Sequence, residues 1–135
     1  MSAAAVAALA LIDALVRIPA RAPKEVGTAA GAELRAVGDH PTWTRYEGRS
    51  ATGPFRSIEL RAGRDGSGAM VILREPVERI TARMLDLERY GPRLSVEVGP
   101  PNASTWSARY ARDGVELAFT FRATTDELVS VVIGK

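Results

Sequence analysis

His40 is the single histidine of the 135-residue chain and stands between Asp39 and Pro41, so an Asp–His base is the first chemistry on offer. Adjacent side chains seldom meet in the geometry a general base needs, and this histidine reads as a solvated loop residue. Gly63-Arg64-Asp65-Gly66-Ser67-Gly68 offers a phosphate cradle. It has neither the GxGxxG nor the GxxxxGKS spacing, and it falls between two strand patterns instead of ahead of a helix. A hairpin loop is the better reading, and Ser67 lacks the GxSxG setting of a nucleophile. Glu59 and Glu116 could form a glycosidase-like pair, but Arg61, Arg109 and Arg122 nearby would lower a carboxyl pKa, the wrong direction for a general acid. Asp86/Glu88 and Asp126/Glu127 lack the ligand count and loop spacing of a calcium site. With no cysteine in the chain, thiolate zinc, iron–sulfur clusters, disulfides and a Cys nucleophile are excluded. Asn102-Ala103-Ser104 matches a glycosylation sequon and is read as a loop. No catalytic, metal or cofactor residue is assigned, and the expectation is a protein that is not an enzyme and carries no cofactor.

Composition points the same way. The chain is 46% hydrophobic and 25% charged, with 18 basic and 16 acidic residues, which describes one globular domain able to sustain its own core. All the basic residues except Lys24 and Lys135 are arginines, interleaved with Asp and Glu and nowhere gathered into a stripe. Nucleic acid is therefore not an expected partner. The apolar N-terminal stretch has no basic residues ahead of it and is interrupted by Asp13, so it reads as an amphipathic helix with an Asp13/Arg17 pair, neither a secretory signal nor a membrane span. A cytoplasmic location with no membrane partner follows as the expectation.

The elements that must position these residues emerge from periodicity. Residues 2–16 predict a helix with Val6, Leu9, Ile12 and Val16 on one face. Pro23 opens a second helix carrying Val26, Ala30, Leu34 and Val37, with Gly38 as its C-cap. Strands are predicted over 42–47, 55–61 and 69–74. A third helix over 82–90 ends at Gly91-Pro92, and strands follow over 105–111, 115–122 and 127–133, with Asp113-Gly114 as a tight turn. The fold class is α+β: a roughly six-stranded antiparallel sheet with helices on one face and the other face open. Its core is expected to hold Leu9, Ile12, Val16, Leu34, Ile58, Leu60, Val71, Leu73, Leu87, Trp106, Leu117, Phe119, Phe121, Val129 and Val131.

The halves look alike. Thr42-Trp43-Thr44-Arg45-Tyr46 and Thr105-Trp106-Ser107-Ala108-Arg109-Tyr110 each open a three-stranded meander behind a helix, which suggests a pseudo-repeat of 23–75 and 82–134 after the helix of 2–16. The run Tyr90-Gly91-Pro92, Pro100-Pro101, Trp106, Tyr110, Gly114, Leu117, Phe119, Phe121, Leu128-Val129-Ser130-Val131 resembles the second half of the fold of β-lactamase inhibitory proteins and of small barrel-assembly lipoprotein domains. The resemblance implies a protein that binds other proteins through its exposed sheet face. The disulfides of the first group and the lipidated cysteine of the second have no counterpart here, so no functional residue carries over.

Alternation along the strands places Trp43, Arg45, Glu59, Arg61, Arg74, Arg109, Glu116 and Arg122 as candidate partner-binding residues on that face, with Trp43 open between core and surface. Arginine and tryptophan are the residue types that dominate protein interfaces. The expected function is a small protein that docks a protein partner on its open sheet, in the form of an immunity protein that occludes a toxin. The alternative is a small-molecule-binding or enzymatic domain, for which the mark would be a pocket of roughly 300 Å³ or more between helices and sheet, lined by convergent polar groups. Oligomeric state is not legible from these patterns.

Overall fold

The computed structural model describes residues 2–18, 22–64, 68–99 and 104–134. Helix α1 (Ala3–Arg17) starts where the Ser2 hydroxyl accepts the Ala5 amide, and α2 (Pro23–Ala30) starts on a proline whose missing N–H is no loss there. Strands β1 (Arg35–Asp39), β2 (Trp43–Arg49), β3 (Phe55–Gly63) and β4 (Ala69–Pro76) follow. Two 3-10 turns, Ala82–Met84 and Leu87–Tyr90, lead to β5 (Ser95–Val98), β6 (Thr105–Arg112), β7 (Val115–Arg122) and β8 (Leu128–Gly134). All eight strands form one antiparallel sheet in the order β1-β2-β3-β4-β8-β7-β6-β5. Two meanders thus meet along β4 and β8, where Ile72 lies opposite Val132.

The α+β class and the antiparallel sheet are as expected, but the sheet has eight strands, not six. The second helix stops at Ala30, because Gly31 takes the left-handed conformation (φ 71°) and its amide reaches back to the Gly27 and Thr28 carbonyls. Residues beyond it become β1, so Leu34 is only partly buried, Val37 is exposed, and Gly38 lies in a strand instead of capping a helix. Leu94-Ser95-Val96-Glu97-Val98 alternates with period two and forms the other unforeseen strand, β5. The expected third helix is replaced by the two 3-10 turns. Backbone bonds from Ala82 N to Asp126 O (2.9 Å) and from Leu128 N to Ile80 O (2.7 Å) tie this segment to the start of β8. The tight turn at Asp113-Gly114 is present with positive φ at both residues (53° and 78°), as a two-residue hairpin of this twist demands. Most of the glycine-rich loop, residues 65–67, lies outside the described residues, as do 19–21 of the N-terminal reading and 102–103 of the sequon.

The core lies between the helices and one sheet face. Leu9, Ile12, Ile58, Leu60, Val71, Leu73, Leu117, Phe119, Phe121 and Val131 are buried as expected. Val16, Leu87 and Trp106 pack against the core while only partly buried, and Val6 is 52% exposed because α1 presents Ala5, Ala8, Leu9, Ile12 and Leu15 inward instead. A register irregularity at Thr120/Phe121 brings Leu128 opposite Phe121, so Leu128 takes the core place expected of Val129.

Asp13 does not pair with Arg17. Its carboxylate receives Arg89 Nη2 and the Tyr90 hydroxyl (3.1 Å), which pins α1 to the second 3-10 turn. Burial, together with the Asp13 charge and hydrogen bond, pushes the Tyr90 phenol far above its usual range. The unfolded chain ionises this tyrosine near pH 10 while the folded chain holds the proton, so the stability Tyr90 contributes is complete below that pH and declines as pH rises beyond it. The expected result is an alkaline loss of thermal stability that is markedly smaller in Tyr90→Phe, measured as melting temperature against pH from 8 to 11.

Candidate functional site

The face of the sheet turned away from the helices carries no covering element among the described residues. At its centre Ile72, Val132 and Ala118 lie in one row across β4, β8 and β7, and Ile72 is only 5% exposed. Strands β4 and β8 sit in the middle of the sheet, and on the open face the apolar row is continued along them by Arg74 opposite Ser130.

Beside this row stands a charged cluster on β3 and β4. Glu59 is 4% exposed, yet it is ionised: Arg61 donates through Nε to one carboxylate oxygen and Arg74 through Nη1 to the other at 3.1 Å. Burial alone would raise the Glu59 pKa, but the hydrogen bonds and charges of Arg61 and Arg74 outweigh it and hold the carboxyl below its ordinary value. The Arg61 guanidinium also lies over the Trp43 ring, 5.1 Å from its centroid, and the far side of this group is extended by His40 stacked on Trp43 at 4.8 Å. Trp43 is therefore on the open face and not in the core. His40 accompanies it as an exposed loop residue whose Nδ1 lies 3.3 Å from the Thr42 hydroxyl.

A second cluster occupies β5, β6 and β7. Arg109 reaches Glu97 (3.1 Å) and Glu116 (3.2 Å), which hold its guanidinium still more firmly protonated than usual, the Glu97 hydrogen bond first. The Ser107 and Thr120 hydroxyls are bonded at 2.8 Å in the neighbouring row. Arg45 pairs with Glu47 at 3.6 Å.

All eight expected residues are thus on strands of the open face, but not in one group. Trp43, Arg61, Glu59 and Arg74 gather on one half, and Arg109 with Glu116 on the other. Arg122 belongs to neither cluster and has no ion-pair partner among the described residues; Arg74, not Arg122, completes the Glu59 clamp. Glu59 and Glu116 are on β3 and β7, separated by β4 and β8. Three strand spacings and a two-residue offset along β7 put them about 16 Å apart, beyond the reach of a glycosidase pair. Among the described residues no group of three or more Asp, Glu or His side chains could hold a metal, and no helix is long and apolar enough to cross a membrane.

The two similar Trp motifs face opposite ways. Trp106 lies on the helix side, stacked on Phe121 at 4.7 Å, with its indole N–H donated to Asp126 at 2.9 Å. The spacing signals this: Trp43 and Tyr46 are three residues apart and so fall on opposite faces, while Trp106 and Tyr110 are four apart and share one. Sequence reasoning missed Ile72, Val132 and Glu97. The continuous apolar runs of β4 and β8 were the signal for the first two, and the alternation of β5 for the third.

On the helix side, α1 reaches β8 and the second 3-10 turn packs on β6. Between the 3-10 turns and β6 opens a groove of about 690 Å³ floored by Trp106, Ala108 and Tyr110. Arg83, Asp86, Glu88 and Arg93 stand around it, none of them in an ion pair among the described residues. Burial raises the Tyr110 pKa, against the lowering charge of Arg93 and with a smaller raising contribution from Glu88.

No family model, no curated protein and no solved structure matches this chain.

Proposed function

We propose that the chain is a binding protein that docks a protein partner on its open sheet face. The observation that carries this reading is the face itself: an apolar row, Ile72, Val132 and Ala118, flanked by two arginine–glutamate clusters whose side chains are already held in place. An interface with an apolar centre and a polar surround suits desolvated contact. Because Glu59 and Glu116 hold their arginines, little side-chain freedom remains to be lost on docking. The charges would set register and partner choice more than affinity. Occlusion of a partner's working surface, the immunity-protein form of this reading, needs nothing beyond such a rigid face.

The test is capture of partners from native lysate by the tagged chain, quantified by mass spectrometry. Ala118→Arg places a long cation in the middle of the apolar row, and Val6→Arg places one on the opposite side of the molecule. The expected result is one stoichiometric partner retained by wild type and Val6→Arg and lost from Ala118→Arg. Equal capture by both variants, or none by wild type, overturns the reading.

The groove supports a second reading, a small-molecule site. What supports it is a volume of about 690 Å³ and four charged residues, Arg83, Asp86, Glu88 and Arg93, without ion-pair partners among the described residues, around Trp106 and Tyr110. A ligand screen by thermal shift tests it, with Trp106→Leu expected to remove any stabilisation found.

A further inference from the structure

Two buried tyrosines lie side by side and are treated differently. Tyr90 gives its hydroxyl to Asp13 at 3.1 Å. Tyr110 is 5% exposed, yet its hydroxyl makes no hydrogen bond within the protein among the described residues. A buried phenol ordinarily finds a partner. Since no side-chain oxygen among the described residues is sealed from water without one, the Tyr110 hydroxyl opens into the groove that this residue lines.

Two opposite charges stand over that hydroxyl. Glu88 raises the Tyr110 pKa and Arg93 lowers it, so both are within electrostatic reach of the same phenol, and neither is in an ion pair among the described residues. Their backbone is fixed. The Glu88 carbonyl accepts the Gly91 amide at 3.0 Å, Gly91 turns the chain at φ 89°, and the Leu94 amide is bonded to the Arg109 carbonyl of β6 at 2.8 Å. The turn thus carries an anion and a cation to one end of the groove without pairing them. From there the floor becomes apolar. Ala108 is the small residue between Tyr110 and Trp106, and the partly buried Trp106 ring is backed by Phe121 at 4.7 Å.

We propose that the groove takes a free α-amino acid with a large apolar side chain: its carboxylate receives Arg93 and the Tyr110 hydroxyl, its ammonium donates to Glu88, and its side chain lies over Ala108 against the Trp106 ring. Such a molecule carries both charges on one carbon and satisfies both walls at once. A ligand with a single charge satisfies one wall and meets a like charge at the other. Burial keeps the phenol protonated past neutral pH, so it is available as a donor to the carboxylate. The inference rests on the small-molecule reading of the groove and names the ligand class for it; it is independent of docking on the open sheet face.

Isothermal titration calorimetry on the full chain tests it with L-phenylalanine, glycine, 3-phenylpropanoate, which lacks the ammonium, and 2-phenylethylamine, which lacks the carboxylate. L-Phenylalanine should bind wild type about tenfold or more tightly than any of the other three. Arg93→Gln should abolish the preference over 2-phenylethylamine and keep that over 3-phenylpropanoate, and Glu88→Gln should do the reverse. Tyr110→Phe should weaken L-phenylalanine and 3-phenylpropanoate by about threefold or more and leave 2-phenylethylamine unchanged. An unchanged thermal melt shows that each variant is folded. No binding of L-phenylalanine by wild type, equal binding of a single-charge analogue, or preferences that survive both charge substitutions overturns the proposal. In each of those cases the thermal-shift screen with Trp106→Leu still decides whether the groove takes a small molecule of another class, so the two readings fail separately.

Discussion

Replacing both arginines of the Glu59 clamp, as Arg61→Met/Arg74→Met, is expected to destabilise the protein by about 3–5 kcal/mol at neutral pH. The two arginines are partly exposed (38% and 46%) and lose little by themselves, whereas Glu59, at 5% side-chain exposure, is left as a buried charge without a partner. The reciprocal change is milder. In Glu59→Gln the guanidinium groups regain water and the cost falls toward about 1–2 kcal/mol. Acid titration separates the cases. In wild type the lowered Glu59 pKa contributes stability that is present above the unfolded carboxylate value, near 4.3, and is lost as pH falls through the folded value. In the double variant the unpaired carboxyl has a raised pKa, so its penalty is relieved as pH falls. The stability gap between the two proteins is therefore widest at pH 7 and narrows on acidification, first above about pH 4.3 as the variant's raised carboxyl takes up its proton and then below it as wild type loses the Glu59 contribution, measured by urea unfolding at a series of pH values. A constant gap would mean that the clamp acts through packing alone.

Phe119→Ala is expected to cost a further class of stability, about 3–5 kcal/mol, through a cavity. Phe119 is fully buried and lies against Tyr90 (5.7 Å between centroids) and edge-on to Tyr110 (5.9 Å), so its ring joins the sheet to the second 3-10 turn. Its loss should lower the melting temperature by roughly 10 °C or more for a domain of this size. It should also loosen the floor of the groove, since Tyr110 loses its neighbour. Phe119→Leu retains most of the volume and should recover more than half of the loss; equal effects of the two would show that the aromatic edge contact, and not the volume, matters here.

Both predictions depend on strands that the residue pattern made legible. Val115, Leu117, Phe119 and Phe121 alternate with Glu116, Ala118, Thr120 and Arg122 and read as a strand with one dry face, and Asp113-Gly114 reads as the hairpin turn before it. Sidedness was readable wherever one face was dry and the other wet, and so the candidate residues Arg45, Glu59, Arg61, Arg109 and Glu116 were placed on the correct face. The elements that escaped are those where local signals compete. Leu34 and Val37 continue the helical spacing of Val26 and Ala30, yet the backbone leaves the helix at Gly31 and pairs Arg35 with Glu47. Residues 82–90 carry helical spacing too, but bonds to the start of β8 hold them as two separate turns.

By itself the sequence determined the antiparallel α+β class, the side of the sheet on which each clear strand residue falls, and the absence of cysteine chemistry. These follow from period, charge and composition, which are local properties of the chain. Tertiary structure alone decided which strands became neighbours. Joining β4 to β8 put Ile72 beside Val132, separated Glu59 from Glu116, and left β1 and β5 at the two ends of the strand order. Strand order is a contest among pairings of similar local energy, settled by how the whole apolar surface is best buried, and no window of the sequence contains that sum.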